Sequence, residues 1–191
     1  RSRRGAHSAM PALTRRVDSG MLADGPALLQ ETFNLASTSS FDETAAFVQK
    51  LLAEPAQERA PDAVPLYLFG NVLPDPEAFR LFAACGARIA ASDLCSGTRL
   101  FQKVELDAGG DPYAGLAAAL LGRKPCARTF DPSRPVRIGE EILDQARAVG
   151  ARGVIGHTVK FCDPFLARLA TVRRTLQEAG MPFLVLEGDC T

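Results

Sequence analysis

The stretch 159–164, Val-Lys-Phe-Cys-Asp-Pro, places a cysteine between an apolar run and the start of a helix. Asp163 is a good N-cap residue and Pro164 a good first helical residue, so the thiol of Cys162 would lie at the positive end of the helix dipole. That position stabilises the thiolate, the form that attacks as a nucleophile or binds a metal. Cys162 is therefore a candidate for redox chemistry, covalent catalysis or one ligand of a metal site. The alternative is a half-buried cysteine that packs at a loop as a small apolar residue.

The remaining cysteines do not complete a site by their spacing. The chain has five cysteines, an odd number without a CxxC pair, which indicates neither a disulfide framework nor a self-contained zinc site. Cys85 shares a helical stripe with Ala78, Leu81 and Phe82, and we expect it in the core. If Cys162 binds a metal, some of the other ligands must come from elsewhere.

Four apolar runs, separated by helical patterns, must position these residues. The runs lie at 66–70, 88–92, 153–156 and 183–187. Near-continuous apolar strands alternating with helices are typical of a parallel sheet covered on both faces. Right-handed crossovers favour the strand order 2-1-3-4. We therefore predict an α/β fold, a doubly wound parallel sheet of about four strands of the flavodoxin-like kind.

The chain before the sheet divides into two segments by composition. Residues 1–25 carry five arginines in their first twenty positions against one acid, Asp18, without an apolar period, which predicts a disordered basic tail. Residues 26–64 form a helical segment, in which Ser40 and Glu43 make a capping box. Residues 65–191 then form an α/β lobe.

The overall composition excludes several classes of protein. The 191 residues contain 22 basic and 22 acidic side chains, and this balance argues against a nucleic-acid partner or a membrane-surface protein. No apolar run approaches the roughly 20 residues that cross a bilayer. We expect a cytoplasmic protein with neither a nucleic acid nor a membrane as a partner.

Polar residues gather where the predicted strands end. Ligands of such sheets bind beyond the carboxyl ends of the strands, at the point where the strand order reverses. Asn71 follows the first strand, and the later strands are followed by 93–99, 157–162 and 187–189. Cys95 and Cys162 therefore converge on one edge of the predicted sheet.

Several motifs resemble the C-terminal half of the 2-hydroxyacyl-CoA dehydratase and benzoyl-CoA reductase family. One is Ser-Asp-Leu-Cys-Ser-Gly-Thr-Arg at 92–99. Another is Lys-Phe-Cys-Asp-Pro at 160–164, with Gly-Met-Pro at 180–182 and Leu-Glu-Gly-Asp at 186–189 behind it. The similarity runs from about Leu66 to the end of the chain, and the motifs agree in order and spacing.

This resemblance implies a subunit whose two α/β lobes hold a [4Fe-4S] cluster through three cysteines, with Cys162 as the third ligand. It also implies a homologous second subunit, an ATP-dependent activator protein as electron donor, and an acyl-CoA substrate. Because the other two ligands would lie in an N-terminal lobe, we expect the chain to be a fragment that supplies one ligand. Cys95 and Cys126 fall in matching segments but are not assigned as ligands, and Cys190 near the same edge is expected to be incidental.

The implied activity is dehydration of a 2-hydroxyacyl-CoA, or reduction of benzoyl-CoA, through one-electron ketyl-radical chemistry. Arg99 is the candidate substrate-binding residue, since an arginine at this edge can contact CoA phosphates. Its alternative role, which we expect, is a structural ion pair with Asp93. The alternative function is a non-catalytic flavodoxin-like remnant or partner-binding module that kept the fold without the cluster.

Overall fold

The computed structural model describes residues 2–57, 62–101, 110–123, 126–129 and 131–189. Its centre is a four-stranded parallel sheet in the order β2-β1-β3-β4. The strands are β1 (Val64–Gly70), β2 (Ala87–Leu94), β3 (Gly153–Val159) and β4 (Phe183–Gly188). The predicted α/β class, strand number, parallel direction and strand order are all confirmed.

Seven helices are described around this sheet. Their bounds are α1 (Ser2–Asp18), α2 (Gly25–Thr38), α3 (Phe41–Ala53), α4 (Pro76–Ala84), α5 (Pro112–Leu121), α6 (Arg137–Ala148) and α7 (Asp163–Glu178). Two of the helix starts follow directly from the sequence. The predicted capping box is present at the start of α3, where the Ser40 hydroxyl accepts from the Glu43 N–H and the Glu43 carboxylate accepts from the Ser40 N–H. Asp75 caps α4 by accepting a hydrogen bond from the Glu77 N–H at 2.9 Å.

Helices cover both faces of the sheet, as predicted. On one face Tyr67 and Phe69 of β1 pack with apolar residues of α6 and α7. On the other face Leu68 packs with Phe79 of α4 and Ala27 of α2. The alternation along β1 follows from the two-residue period of a strand, and burial on both sides explains its continuous apolar sequence.

The expected disorder of residues 1–25 is wrong for most of that segment, because α1 spans Ser2–Asp18. Its second half carries Met10, Leu13 and Val17, which are buried at helical spacing. They pack against buried residues of α2 and α3, including Phe33 and Val48. The short apolar stripe among the arginines therefore orders the segment, since the neighbouring helices bury it.

The expected core position of Cys85 is also wrong. Cys85 follows the last residue of α4 and is exposed. The buried residue of that helix is Phe79, which faces the sheet, whereas Leu81 of the predicted stripe is exposed. The buried face of α4 is therefore not the face to which Cys85 was assigned.

Of the helices described, none combines the length and the apolar composition that crossing a bilayer requires. Cys190 lies outside the described residues. Its expected incidental role stays a prediction.

Candidate functional site

The carboxyl edge of the sheet is where the winding direction reverses. From β1 the chain passes through α4 to β2 on one side, while β3 lies on the other side of β1 and leads through α7 to β4. In doubly wound sheets this reversal leaves a crevice beyond the strand ends, where ligands bind.

At that point the two central strands approach each other closely. The Asn71 N–H donates a hydrogen bond to the His157 carbonyl at 2.9 Å. Gly70 has φ +146, and a Cβ on it would lie 1.9 Å from the same carbonyl oxygen. Only glycine fits this position, because any side chain would clash with the backbone of β3.

Cys162 lies at this edge, and α7 begins one residue earlier than predicted. It is itself the N-cap of α7, so Asp163 is the first helical residue rather than the cap. The carbonyl of Cys162 accepts hydrogen bonds from the N–H groups of Phe165 and Leu166 at 3.0 and 3.1 Å. The Cys162 side chain makes no capping hydrogen bond, is half-buried and packs against the core between the sheet and α7.

A short turn between β3 and α7 sets the direction of Cys162. Phe161 adopts the left-handed conformation, with φ 66, and its side chain is 88% exposed. The preceding residue fastens the turn to the end of β4: the Lys160 N–H donates to the Gly188 carbonyl at 3.0 Å, and its ammonium donates to Asp189 at 2.7 Å. A positive φ strains the backbone at a non-glycine residue, and the two hydrogen bonds of Lys160 stabilise the turn against this strain.

The loop after β2 is held by a buried ion pair. The Arg99 guanidinium donates two hydrogen bonds of 2.7 Å to the two carboxylate oxygens of Asp93, and both side chains are only 12% exposed. Burial lowers the pKa of Arg99, and the facing Asp93 carboxylate more than offsets this, so the pKa lies above its usual value. The Arg99 guanidinium is therefore paired with the Asp93 carboxylate, which is the structural role that we expected for it. Its contact with a substrate stays a prediction.

Further hydrogen bonds fix the same loop to its neighbours. The Thr98 hydroxyl donates to the Ser92 carbonyl at 2.8 Å. The Gln30 amide of α2 donates to the Ser96 carbonyl at 3.2 Å, and the Ser96 hydroxyl accepts from the Leu73 N–H at 3.2 Å. The loop is therefore positioned by α2 and by the segment after β1 as well as by its own ion pair.

Three thiols lie around this edge. Cys95 and Cys162 pack against the same apolar cluster, and so does the residue after Cys126, the buried Ala127. Burial raises the pKa of Cys95, with opposing influence from Arg99 and further increases from the nearby Cys126 and Cys162. The thiol of Cys95 is therefore protonated at neutral pH. The proximity of Cys126 was not predicted, because a long loop with no periodic pattern brings it to the site.

A buried histidine completes the edge, and the sequence analysis gave it no role. His157 ends the pairing of β3 with β1, and its buried Nδ1 makes no hydrogen bond to any of the described residues. Burial lowers its pKa, so the imidazole is neutral at physiological pH. The available signal was a lone histidine at the end of an apolar strand, which is a weak one.

The three thiols are possible ligands of an iron–sulfur cluster. A [4Fe-4S] cluster is held mainly by cysteine thiolates. In the described ranges no three His, Cys, Asp or Glu side chains are placed to hold a metal ion together. Cys162 fits the role of a single ligand, since its sulfur makes no capping hydrogen bond at a helix N-terminus, whereas the raised pKa of Cys95 disfavours its thiolate.

Comparison with known proteins identifies the family. The model of the 2-hydroxyglutaryl-CoA dehydratase D-component matches residues 12–191, nearly the whole chain. The chain is also similar to the (R)-phenyllactyl-CoA dehydratase beta subunit of Clostridium sporogenes, with 24% identity over 120 residues. That match covers 63% of this chain and 31% of the relative, so the chain spans about a third of the relative's length. The chain belongs to the 2-hydroxyglutaryl-CoA dehydratase D-component family.

Proposed function

We propose that the chain is part of a subunit of an iron–sulfur 2-hydroxyacyl-CoA dehydratase, or of a benzoyl-CoA reductase of the same general kind. One observation carries the proposal: in a chain that the dehydratase family model matches over residues 12–191, Cys162 lies at the carboxyl edge of the sheet. Its half-buried thiol stands at the start of a 16-residue helix and makes no capping hydrogen bond to it, and a cysteine sulfur so placed supports the role of a metal ligand.

The reaction would remove water from a 2-hydroxyacyl-CoA, whose C3 proton is not acidic in the ground state. One electron added to the thioester carbonyl forms a ketyl radical, which expels hydroxide from C2. The C3 proton of the resulting radical is acidic and is lost, and the product radical anion gives the electron back to its donor, so that elimination of water is the net change. A bound [4Fe-4S] cluster would be such a donor, and Cys162 would provide one of its ligands.

The chain's own residues would position and shield this chemistry. Cys162 is directed by the strained turn at Phe161 and backed by the apolar core, which keeps water from one side of the sulfur. The Asp93–Arg99 pair holds the neighbouring loop rigid. The proposed partners are a homologous second subunit, an ATP-dependent activator protein and the acyl-CoA substrate.

The test is an anaerobic dehydration assay of the whole subunit that contains this chain, together with its second subunit, the activator, ATP and a reductant. (R)-Phenyllactyl-CoA is the first substrate to try, because a similar subunit carries that name. Formation of the unsaturated acyl-CoA is measured for the wild type, for Cys162→Ser and for Cys85→Ser, whose exposed thiol lies at the end of α4. We expect activity in the wild type and in Cys85→Ser and none in Cys162→Ser.

The contrary results are equally clear. If Cys162→Ser keeps wild-type activity, Cys162 is not a ligand. If none of a panel of 2-hydroxyacyl-CoA and aromatic acyl-CoA esters is converted by the wild type, the chain is a non-catalytic member of the family.

A further inference from the structure

Three arginine side chains line a small pocket at the start of α6, and nothing in the site described above uses them. We call this the arginine pocket: it is lined by Arg134, Arg137 and Arg168, together with Cys126, Thr129 and Asp131. Resting on the proposed function, we propose that the arginine pocket binds a phosphate group of the CoA ester.

The walls of the pocket are built by local hydrogen bonds. The Cys126 N–H donates to the Thr129 hydroxyl at 2.7 Å, and that hydroxyl donates to the Cys126 carbonyl at 3.0 Å. The Asp131 carboxylate accepts from both the N–H and the hydroxyl of Ser133, at 2.9 and 2.6 Å. Helix α6 starts directly behind this loop, and its N-cap residue, Val136, provides no side-chain cap. The positive end of the α6 dipole therefore faces the pocket without a capping side chain.

The charges of the pocket favour an anion. Three guanidinium groups and one carboxylate belong to its lining, and Arg168 also interacts with another group of the protein. The Ser133 hydrogen bonds lower the pKa of Asp131, and Arg137 and Arg134 lower it further, so this carboxylate is ionised and offsets one positive charge. Arg134 also pairs with Glu140 at 3.1 Å on the surface, where such pairs are weak and exchange readily.

Arg137 lines the pocket, and its buried Nε makes no hydrogen bond to any of the described residues. Guanidinium groups match phosphate oxygens in geometry as well as in charge, which makes arginine a common phosphate-binding residue.

The pocket borders the candidate site through Cys126 and extends away from it along α7. Arg168 lies six residues after Cys162, about 9 Å further along α7. The phosphates of CoA are separated from the thioester by the pantetheine arm, so their site must lie at a distance from the reacting carbonyl. Arg99, in contrast, already has both of its short hydrogen bonds on Asp93. The arginine pocket is thus better placed than Arg99 to bind the phosphate.

The test measures binding of CoA to the 191-residue chain by isothermal titration calorimetry, with pantetheine and inorganic phosphate as separate probes. Pantetheine lacks every phosphate of CoA. We compare Arg137→Gln and the exposed Arg134→Gln with Arg152→Gln, an exposed arginine beside the first residue of β3 at the opposite edge of the sheet. Each pocket variant should raise the Kd for CoA about tenfold, and the control should not.

Both directions of the result are informative. The inference stands if CoA binds the wild type more tightly than pantetheine or inorganic phosphate does and the pocket variants remove that advantage. It is overturned if the wild type does not bind CoA, if inorganic phosphate binds as tightly as CoA, or if both pocket variants bind like the control. Arg134→Gln changes an exposed side chain, so it answers the question even if Arg137→Gln does not fold. Dehydration without CoA binding in the pocket would refute only this inference, whereas pocket-dependent CoA binding without dehydration would refute only the proposed function.

Discussion

The buried Asp93–Arg99 pair should be one of the most sensitive points of the fold. Asp93→Asn removes the carboxylate but keeps its size, and it leaves the Arg99 guanidinium in a place that is 12% exposed. One Arg99 nitrogen, Nη1, already lacks a hydrogen-bond partner among the described residues, so the variant leaves a buried charge without compensation. Breaking one partner of a buried pair costs about 3–5 kcal/mol, a large part of the roughly 5–15 kcal/mol that stabilises a domain.

Urea unfolding followed by circular dichroism measures this cost. Glu140→Gln is the matched control, because it breaks the exposed pair with Arg134 and should cost less than about 1 kcal/mol. Replacing both members, as in Asp93→Asn with Arg99→Met, removes the unpaired charge. The double variant should therefore lose less stability than the sum of the two single variants, by about 2 kcal/mol.

If Asp93→Asn costs no more than Glu140→Gln, the pair does not stabilise the fold. Additive effects of the two single changes at positions 93 and 99 would also refute this role, since an ion pair that determines the stability of the loop requires coupling.

Two other predictions concern the wider fold. Burial raises the pKa of Asp18 from 3.8 to about 6, against the influence of Arg88. Between these values the folded chain binds a proton that the unfolded chain has lost. The free energy of unfolding should therefore fall by up to about 3 kcal/mol as the pH rises from about 4 to 6. Urea unfolding at several pH values measures this decline, and Asp18→Asn should abolish it. Gly70→Ala should prevent folding or cost several kcal/mol, because its Cβ would meet the His157 carbonyl, whereas Gly86→Ala, with a positive φ but open space, should cost about 1 kcal/mol. Equal unfolding midpoints for the two glycine variants, or a pH dependence that survives in Asp18→Asn, would contradict these accounts.

The sheet was predictable because its signals are local and repeated. Each strand is a short apolar run bounded by a turn or a helix cap, and right-handed crossovers leave few strand orders for such runs. The capping residues Ser40, Asp75 and Asp111 mark helix starts for the same reason, since an Asp or Ser side chain replaces missing backbone hydrogen bonds. The carboxyl edge, with Cys162, followed from that order.

The features that escaped prediction depend on contacts that are distant in the sequence. Leu13 and Val17 order α1 only because α2 and α3 cover them, and the surrounding arginines obscure that short stripe. Cys126 reaches the neighbourhood of Cys95 through a loop whose sequence has no periodic pattern. The arginine pocket combines side chains from the loop, α6 and α7, and their spacing in the sequence gives no sign that they meet.

We propose that Cys162 provides a thiolate ligand to an iron–sulfur cluster in a dehydratase subunit. The most direct measurement is the iron content, with the electron paramagnetic resonance spectrum, of the whole subunit that contains this chain, produced anaerobically with its second subunit. We predict cluster-level iron in the wild type and in the exposed-cysteine control Cys85→Ser, and a loss of most of the iron and of the signal in Cys162→Ser. Equal iron content and an unchanged spectrum in Cys162→Ser would contradict the claim.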